Sequence, residues 1–133
     1  MTDLAALADA MPFATLAGIE LLSADADEVR ARIPWSEERC TAGGVLHGGA
    51  LFTLADTVGA IVAFLNLPPG ATGTTTISST VNFLRAVTKG HATAVSTPLH
   101  KGRTTVVAVT DLFDDDGKLL GRVTQTQAVL GGG

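Results

Sequence analysis

Cysteine is all but missing from this 133-residue chain. Cys40 stands alone, so neither an internal disulfide framework nor a multi-cysteine metal site can form. Charge is scarce too. Only 17% of residues are charged against 46% hydrophobic, too apolar for a disordered chain and thinly charged for a fully solvated surface. That imbalance implies that a second copy of the chain covers part of the surface. The nine basic residues are outnumbered by thirteen acidic ones, for a formal net charge of −4, and they form no run. The basic patch of a nucleic-acid or anionic-membrane binder is therefore absent.

Other omissions narrow the field further. The opening MTDLAALADAMPF carries Asp3 and Asp9 without a basic segment, which argues against a secretory signal and for a cytoplasmic protein. The best window for a membrane span, Ala50 to Leu67, reaches 18 residues only by including Asp56 and runs into Pro68-Pro69-Gly70. An aspartate there costs about 2.5–3.5 kcal/mol in lipid, so the window reads as a buried helix of a soluble protein. His47, His91 and His100 lack metal-ligand spacing, and Asp114-Asp115-Asp116-Gly117 lacks the remaining ligands of a calcium loop. No G-x-S-x-G, P-loop or G-x-G-x-x-G is present. Neither metal nor cofactor is expected.

What is present fits one domain over residues 1–130, with Gly131 to Gly133 as a flexible end. Asp3 to Ala10 has helical composition and stops near Pro12. Val29, Ala31, Ile33 and Trp35 alternate with Arg30, Arg32 and Pro34 as a half-buried strand, with Ile19 to Ser23 as its hairpin partner or an earlier part of it across an acidic turn. Gly48 to Leu65 is one long helix, apolar on every face, which must be surrounded by protein. Thr74 to Leu84, Ala92 to His100, Thr104 to Phe113 and Lys118 to Leu130 read as strands, the last two joined by Asp116-Gly117 as a two-residue turn. Helix and strands are segregated, so the class is α+β without a βαβ unit. A lone apolar helix is covered on all sides only if an antiparallel sheet curls around it.

One stretch, Gly43-Gly44-Val45-Leu46-His47-Gly48-Gly49 through Ala55-Asp56, concentrates chemical capacity. Gly48 and Gly49 open the long helix, where unpaired N–H groups and the positive dipole end suit a developing oxyanion. Asp56 is the only charged side chain between Cys40 and Leu84. An acid on an apolar helix is paired, exposed in a cleft, or functional. The bland alternative pairs it with Arg85 or with threonine hydroxyls. It lies about 12 Å along the helix from Gly48, too far to serve that N–H in its own chain. Two chains packed antiparallel bring one Asp56 beside the other's Gly48, which predicts a site shared across a dimer.

The same stretch resembles the His-Gly-Gly-x4-Leu-Ala-Asp signature of hotdog-fold acyl-CoA thioesterases, particularly the phenylacetate-degradation branch. It is similar also to the 4-hydroxybenzoyl-CoA thioesterases, whose acid nine residues past the histidine is glutamate. The likeness covers nearly the whole chain. Ile33-Pro34-Trp35-Ser36, Val81-Asn82-Phe83-Leu84-Arg85-Ala86, His100-Lys101-Gly102-Arg103-Thr104 and Asp116-Gly117-Lys118 follow the family's order.

The resemblance implies a hotdog fold, a curved antiparallel sheet round the long helix, working as a homodimer or a dimer-of-dimers homotetramer on an acyl- or aryl-CoA. It makes Asp56 the nucleophile or general base and the partner's Gly48 N–H the group that polarises the thioester carbonyl. His47 supports that end, and Thr76 orients the attacking water, with Thr74 and Thr75 as alternatives. Phe83 lines the acyl or pantetheine channel, and Lys101, Gly102 and Arg103 meet the pantetheine or phosphates. Relatives often carry asparagine six residues before the histidine. Here Thr41 offers one hydroxyl for an amide's two donors, which weakens or moves that role. Competing readings are a non-catalytic acyl-CoA-binding module and a hydroxyacyl thioester dehydratase or hydratase. A Cys40 thiol nucleophile is disfavoured because nothing orients it toward His47.

Overall fold

The computed structural model describes residues 2–132; Met1 and Gly133 lie outside them. Two short helices, α1 (Leu4–Asp9) and α2 (Pro12–Leu16), lead into the hairpin of β1 (Glu20–Ala24) and β2 (Val29–Pro34). A 3-10 turn at Glu37–Arg39 precedes the long helix α3 (Gly48–Phe64). Four strands complete the chain: β3 (Gly73–Phe83), β4 (His91–Lys101), β5 (Thr105–Phe113) and β6 (Leu119–Leu130). All six strands form one antiparallel sheet in the order β1-β2-β4-β5-β6-β3.

The concave face of this sheet holds α3. Small side chains at Ala31, Ala92, Ala94 and Ala108 face Leu54, Val58 and Val62 of the helix, and all are fully buried. Alanine at those positions lets the helix axis approach the strands closely while the branched residues interdigitate. Burying Leu54 or Val58 contributes about 1.5–3 kcal/mol each. Trp35 Nε1 donates to Gly44 O at 2.9 Å and so ties β2 to the loop before α3. In that loop Gly43 and Gly44 have φ of +82° and +74°, a left-handed pair that side chains rarely adopt.

Several expectations need correction. Pro12 does stop α1, but it also starts α2 as its first residue, where the missing N–H costs nothing. Asp116-Gly117 is not a two-residue turn. The β5–β6 connection runs from Asp114 to Lys118, with Asp114 Oδ1 accepting from the N–H groups of Asp116 and Lys118 at 2.9 Å each. A carboxylate that takes the place of a backbone acceptor closes the longer loop.

The faces of β3 follow from its pairing with β6. Ile77, Val81 and Phe83 have even spacing, yet the β3–β6 register shifts between Thr76 and Ser78, and Ile77 is 61% exposed. A bulge leaves the extra residue unpaired and reverses the alternation. The helix, finally, is not enclosed on every side within one chain. Phe52, Thr53, Asp56 and Ala60 form a half-buried stripe at helical spacing that ends at exposed Phe64. No helix of the described residues is long and apolar enough to cross a membrane. Gly132 lies against Gly70.

Candidate active site

His47 is the N-cap of α3. Its Nδ1 accepts from the Gly49 N–H at 2.8 Å, which fixes the neutral imidazole as the Nε2–H tautomer. The carbonyl of His47 accepts from Ala50 and Leu51. The Gly48 N–H, first of the helix, has no hydrogen-bond partner among the described residues. It stands where the helix dipole is positive and where a bound oxygen could take the place of an acceptor. A Cβ at Gly48 would come within 3.2 Å of Phe83 Cε2, so the Phe83 ring lies over the helix start. Gly48 and Phe83 both line a cavity of ≈ 340 Å³ that also includes Arg85.

Asp56 sits eight residues farther along the same unbroken helix. Its Oδ1 accepts from Thr76 Oγ1 at 2.9 Å and from Gln125 Nε2 at 3.0 Å. Gln127 Nε2 in turn donates to Thr76 Oγ1 at 2.6 Å. Asp56 Oδ2 has no partner among the described residues, and the side chain lines a cavity of ≈ 320 Å³ between α2 and α3, walled by Met11, Phe13, Phe52 and Ala60. An adjoining, largely apolar cavity of ≈ 290 Å³ shares Met11 and Ala60 and extends to Leu7, Ile61 and Phe64. The two make one groove along α3 with the carboxylate at one end.

Of the two pairings in the bland alternative the structure shows one. Asp56 accepts a threonine hydroxyl, that of Thr76, and among the described residues it makes no ion pair with Arg85. Thr53 and Thr57 spend their hydroxyls on backbone carbonyls one turn back, Gly49 O and Thr53 O. Among Thr74, Thr75 and Thr76, the bulge decides the matter. Simple alternation from Ser79 and Val81 would bring Thr75 to the helix face, whereas the shifted register pairs Thr76 with Gln127 and Ser79 with Gln125.

The remaining candidates lie elsewhere. Thr41 is on the exposed loop before α3, its N–H bonded to Val45 O and its hydroxyl without a partner among the described residues. Lys101 ends β4, and Gly102 and Arg103 lie in the β4–β5 turn, closed by Gly102 N–H to Thr105 O at 2.8 Å, with both cationic side chains exposed. Cys40 Sγ donates to Ser36 O at 3.3 Å and belongs to the loop's packing. Among the described residues no group of three or more His, Cys, Asp or Glu side chains could hold a metal ion. Away from the site, Arg122 makes a two-point pair with Asp111 at 2.7 and 3.0 Å, and this hydrogen-bonded carboxylate holds the guanidinium above its ordinary range. Gln125 and Gln127, 1% and 0% exposed, are the site residues that sequence reasoning missed.

Residues 43–120, which span the glycine loop, α3, β3 to β5 and the start of β6, match the family model of the thioesterase superfamily. The chain belongs to that superfamily. Its fold is the hotdog fold, and its family is one of thioester hydrolases. A variant of the thioesterase PA1618 from Pseudomonas aeruginosa superposes with a TM-score of 0.91 at 30% identity, over 98% of this chain and 96% of that one. The 1,4-dihydroxy-2-naphthoyl-CoA hydrolase of Escherichia coli is 29% identical over 104 residues, 78% of this chain and 76% of the relative. A thioesterase-fold protein from Streptococcus pneumoniae, solved with coenzyme A, has a TM-score of 0.81 at 26% identity, covering 93% of this chain and 97% of that one.

Proposed function

We propose that this superfamily member is an acyl-CoA thioesterase: water adds to the thioester carbonyl, the carbon–sulfur bond breaks, and a free acid and coenzyme A leave. The observation that carries the reading is the carboxylate of Asp56, held through Oδ1 with Oδ2 free at the wall of a cavity. Oδ2 either takes the proton of the attacking water or attacks the carbonyl carbon itself. In the second route it expels the coenzyme A thiolate and forms a mixed anhydride, which water then hydrolyses to the free acid and Asp56. Both routes use the same oxygen. The unpartnered Gly48 N–H of a second subunit binds the carbonyl oxygen as it gains charge. Its distance along the helix from Asp56 is why the reading requires a homodimer, alone or paired into a homotetramer. The apolar groove along α3 receives the acyl group, Phe83 flanks the thioester, and Lys101, Gly102 and Arg103 meet the pantetheine or phosphate end.

His47 acts in this scheme through the helix start it caps. Thr76 acts on Asp56 rather than on the water, since its only proton goes to the carboxylate. Aspartate in place of glutamate nine residues past His47 supports a reading within the phenylacetate-degradation branch, and a cytoplasmic location is part of the same proposal. A non-catalytic acyl-CoA-binding module would have no use for a held carboxylate with a free oxygen. A dehydratase needs a histidine and an acid facing one carbon, whereas His47 Nδ1 is committed to Gly49.

The test is thiol release from a panel running from acetyl- to dodecanoyl-CoA, with benzoyl- and phenylacetyl-CoA, for the parent chain and for Asp56→Asn. Loss of a group that acts in the transition state is expected to lower kcat by about 10²–10⁴-fold with oligomer size unchanged. Full turnover by Asp56→Asn overturns the reading.

A further inference from the structure

Building on that reading, we infer that Gln125 and Gln127 are positioning residues, and that with Thr76 they select Oδ2 of Asp56 as the reacting oxygen. The argument is a count of protons. A threonine hydroxyl has one to donate. Gln127 Nε2 points its own N–H at Thr76 Oγ1, at 2.6 Å, so the threonine proton is turned away from Gln127 and onto Asp56 Oδ1 at 2.9 Å. Gln125 Nε2 donates to that same oxygen at 3.0 Å. Two donors therefore converge on Oδ1, and Oδ2 keeps its lone pairs for the cavity.

The arrangement is not one that stability alone would produce. Both amide oxygens, Gln125 Oε1 and Gln127 Oε1, are buried without a hydrogen-bond partner among the described residues. An orphaned buried acceptor weakens a fold, and an apolar side chain of the same size would avoid it. The helix, moreover, leaves a gap for Gln125: a Cβ on Gly59, one turn beyond Asp56, would overlap its carboxamide. A helix-interior glycine is itself unfavourable. Three local sacrifices in one place are thus linked to a single outcome, the fixed orientation of one carboxylate.

The experiment is Gln125→Met, which keeps the volume and removes both the donor and the orphaned oxygen. It is assayed on the acyl-CoA ester that the parent turns over fastest, together with the thermal midpoint. A donor to a charged group supports an expected fall in kcat of roughly 10–100-fold. KM is expected to stay within about twofold, because only transition-state geometry is lost. Tm is expected to hold or rise. Gln127→Met, which touches no carboxylate, is expected to lower kcat by about 3–10-fold in the same pattern, and it serves if the first variant does not fold. An unchanged kcat overturns the inference. So does a loss of kcat that comes with a lowered Tm, as a merely structural glutamine predicts. If Asp56→Asn is inactive while both glutamine variants are fully active, the positioning role alone fails. If Asp56→Asn is active, it is the thioesterase reading that fails.

Discussion

Each side chain that donates a hydrogen bond to Asp56 comes from a strand, and each depends on a neighbour that is unusually small or unusually placed. Gly59 is the clearest case. Replacing it with alanine forces Gln125 off the carboxylate, and Gly59→Ala is expected to destabilise the protein by about 1–3 kcal/mol, read in urea unfolding, while also lowering kcat. That sign is opposite to the usual gain from placing alanine in a helix. At the helix start, His47→Ala removes the cap of Gly49, with an expected loss of about 0.5–2 kcal/mol, and His47→Asn, a good cap residue, restores most of it. Asp56 and Gly48 stand out in the sequence because a lone charge and a glycine pair interrupt an apolar run. Gln125 and Gln127 do not, because Thr124-Gln125-Thr126-Gln127 is polar at both parities and alternation has nothing to count. Extending the parity of Val123 inward along β6 is the one signal that would have found them.

At the scale of elements, the groove between the N-terminal helices and α3 is where the proposed reading seats the acyl group. Met11 and Ala60 are common to both of its cavities, and Ala60 is the one on α3. Ala60→Trp is expected to lower kcat/KM for the longest acyl-CoA of the panel by about 10–100-fold and for acetyl-CoA by less than about threefold, since filling a pocket penalises only what must occupy it. Equal losses across the panel would contradict this placement of the acyl group. The limits of α3 were legible, with Gly48 at its start and Leu65 just past its end, because propensity and burial agree there. The bulge at Ile77 was not. It arises from pairing with β6, far away in sequence, and no local pattern among Thr74, Thr75 and Thr76 encodes it. The length of the β5–β6 loop escaped for a related reason, since Asp114 acts through its side chain and the Asp116-Gly117 dipeptide drew attention to itself.

On the scale of the whole molecule, the order of strands leaves β3 at one edge, and that edge carries Thr76 and Phe83. An exposed edge strand and an open stripe on α3 are what a second copy would cover. Complementation distinguishes a shared site from one confined to a single chain. Gly48→Pro deletes the first N–H of the helix, at a position where the backbone accepts proline, and the added Cβ presses on the Phe83 ring. Mixed and refolded with Asp56→Asn chains, equal amounts of the two inactive variants are expected to recover about a quarter of the parent activity, because each mixed dimer holds one intact site. No recovery would confine the chemistry to one subunit. The low charge fraction is a statement about composition alone; that β3 is an edge strand is visible only in the strand order.

Trp35 is the only tryptophan in the chain, and its indole N–H grips the carbonyl of Gly44, three residues before His47. The protein therefore carries its own fluorophore on the loop that leads into the helix cap. Any rearrangement of that loop on binding of the proposed coenzyme A ester changes the hydration of the indole and is readable as a wavelength shift in emission, without a label and without turnover.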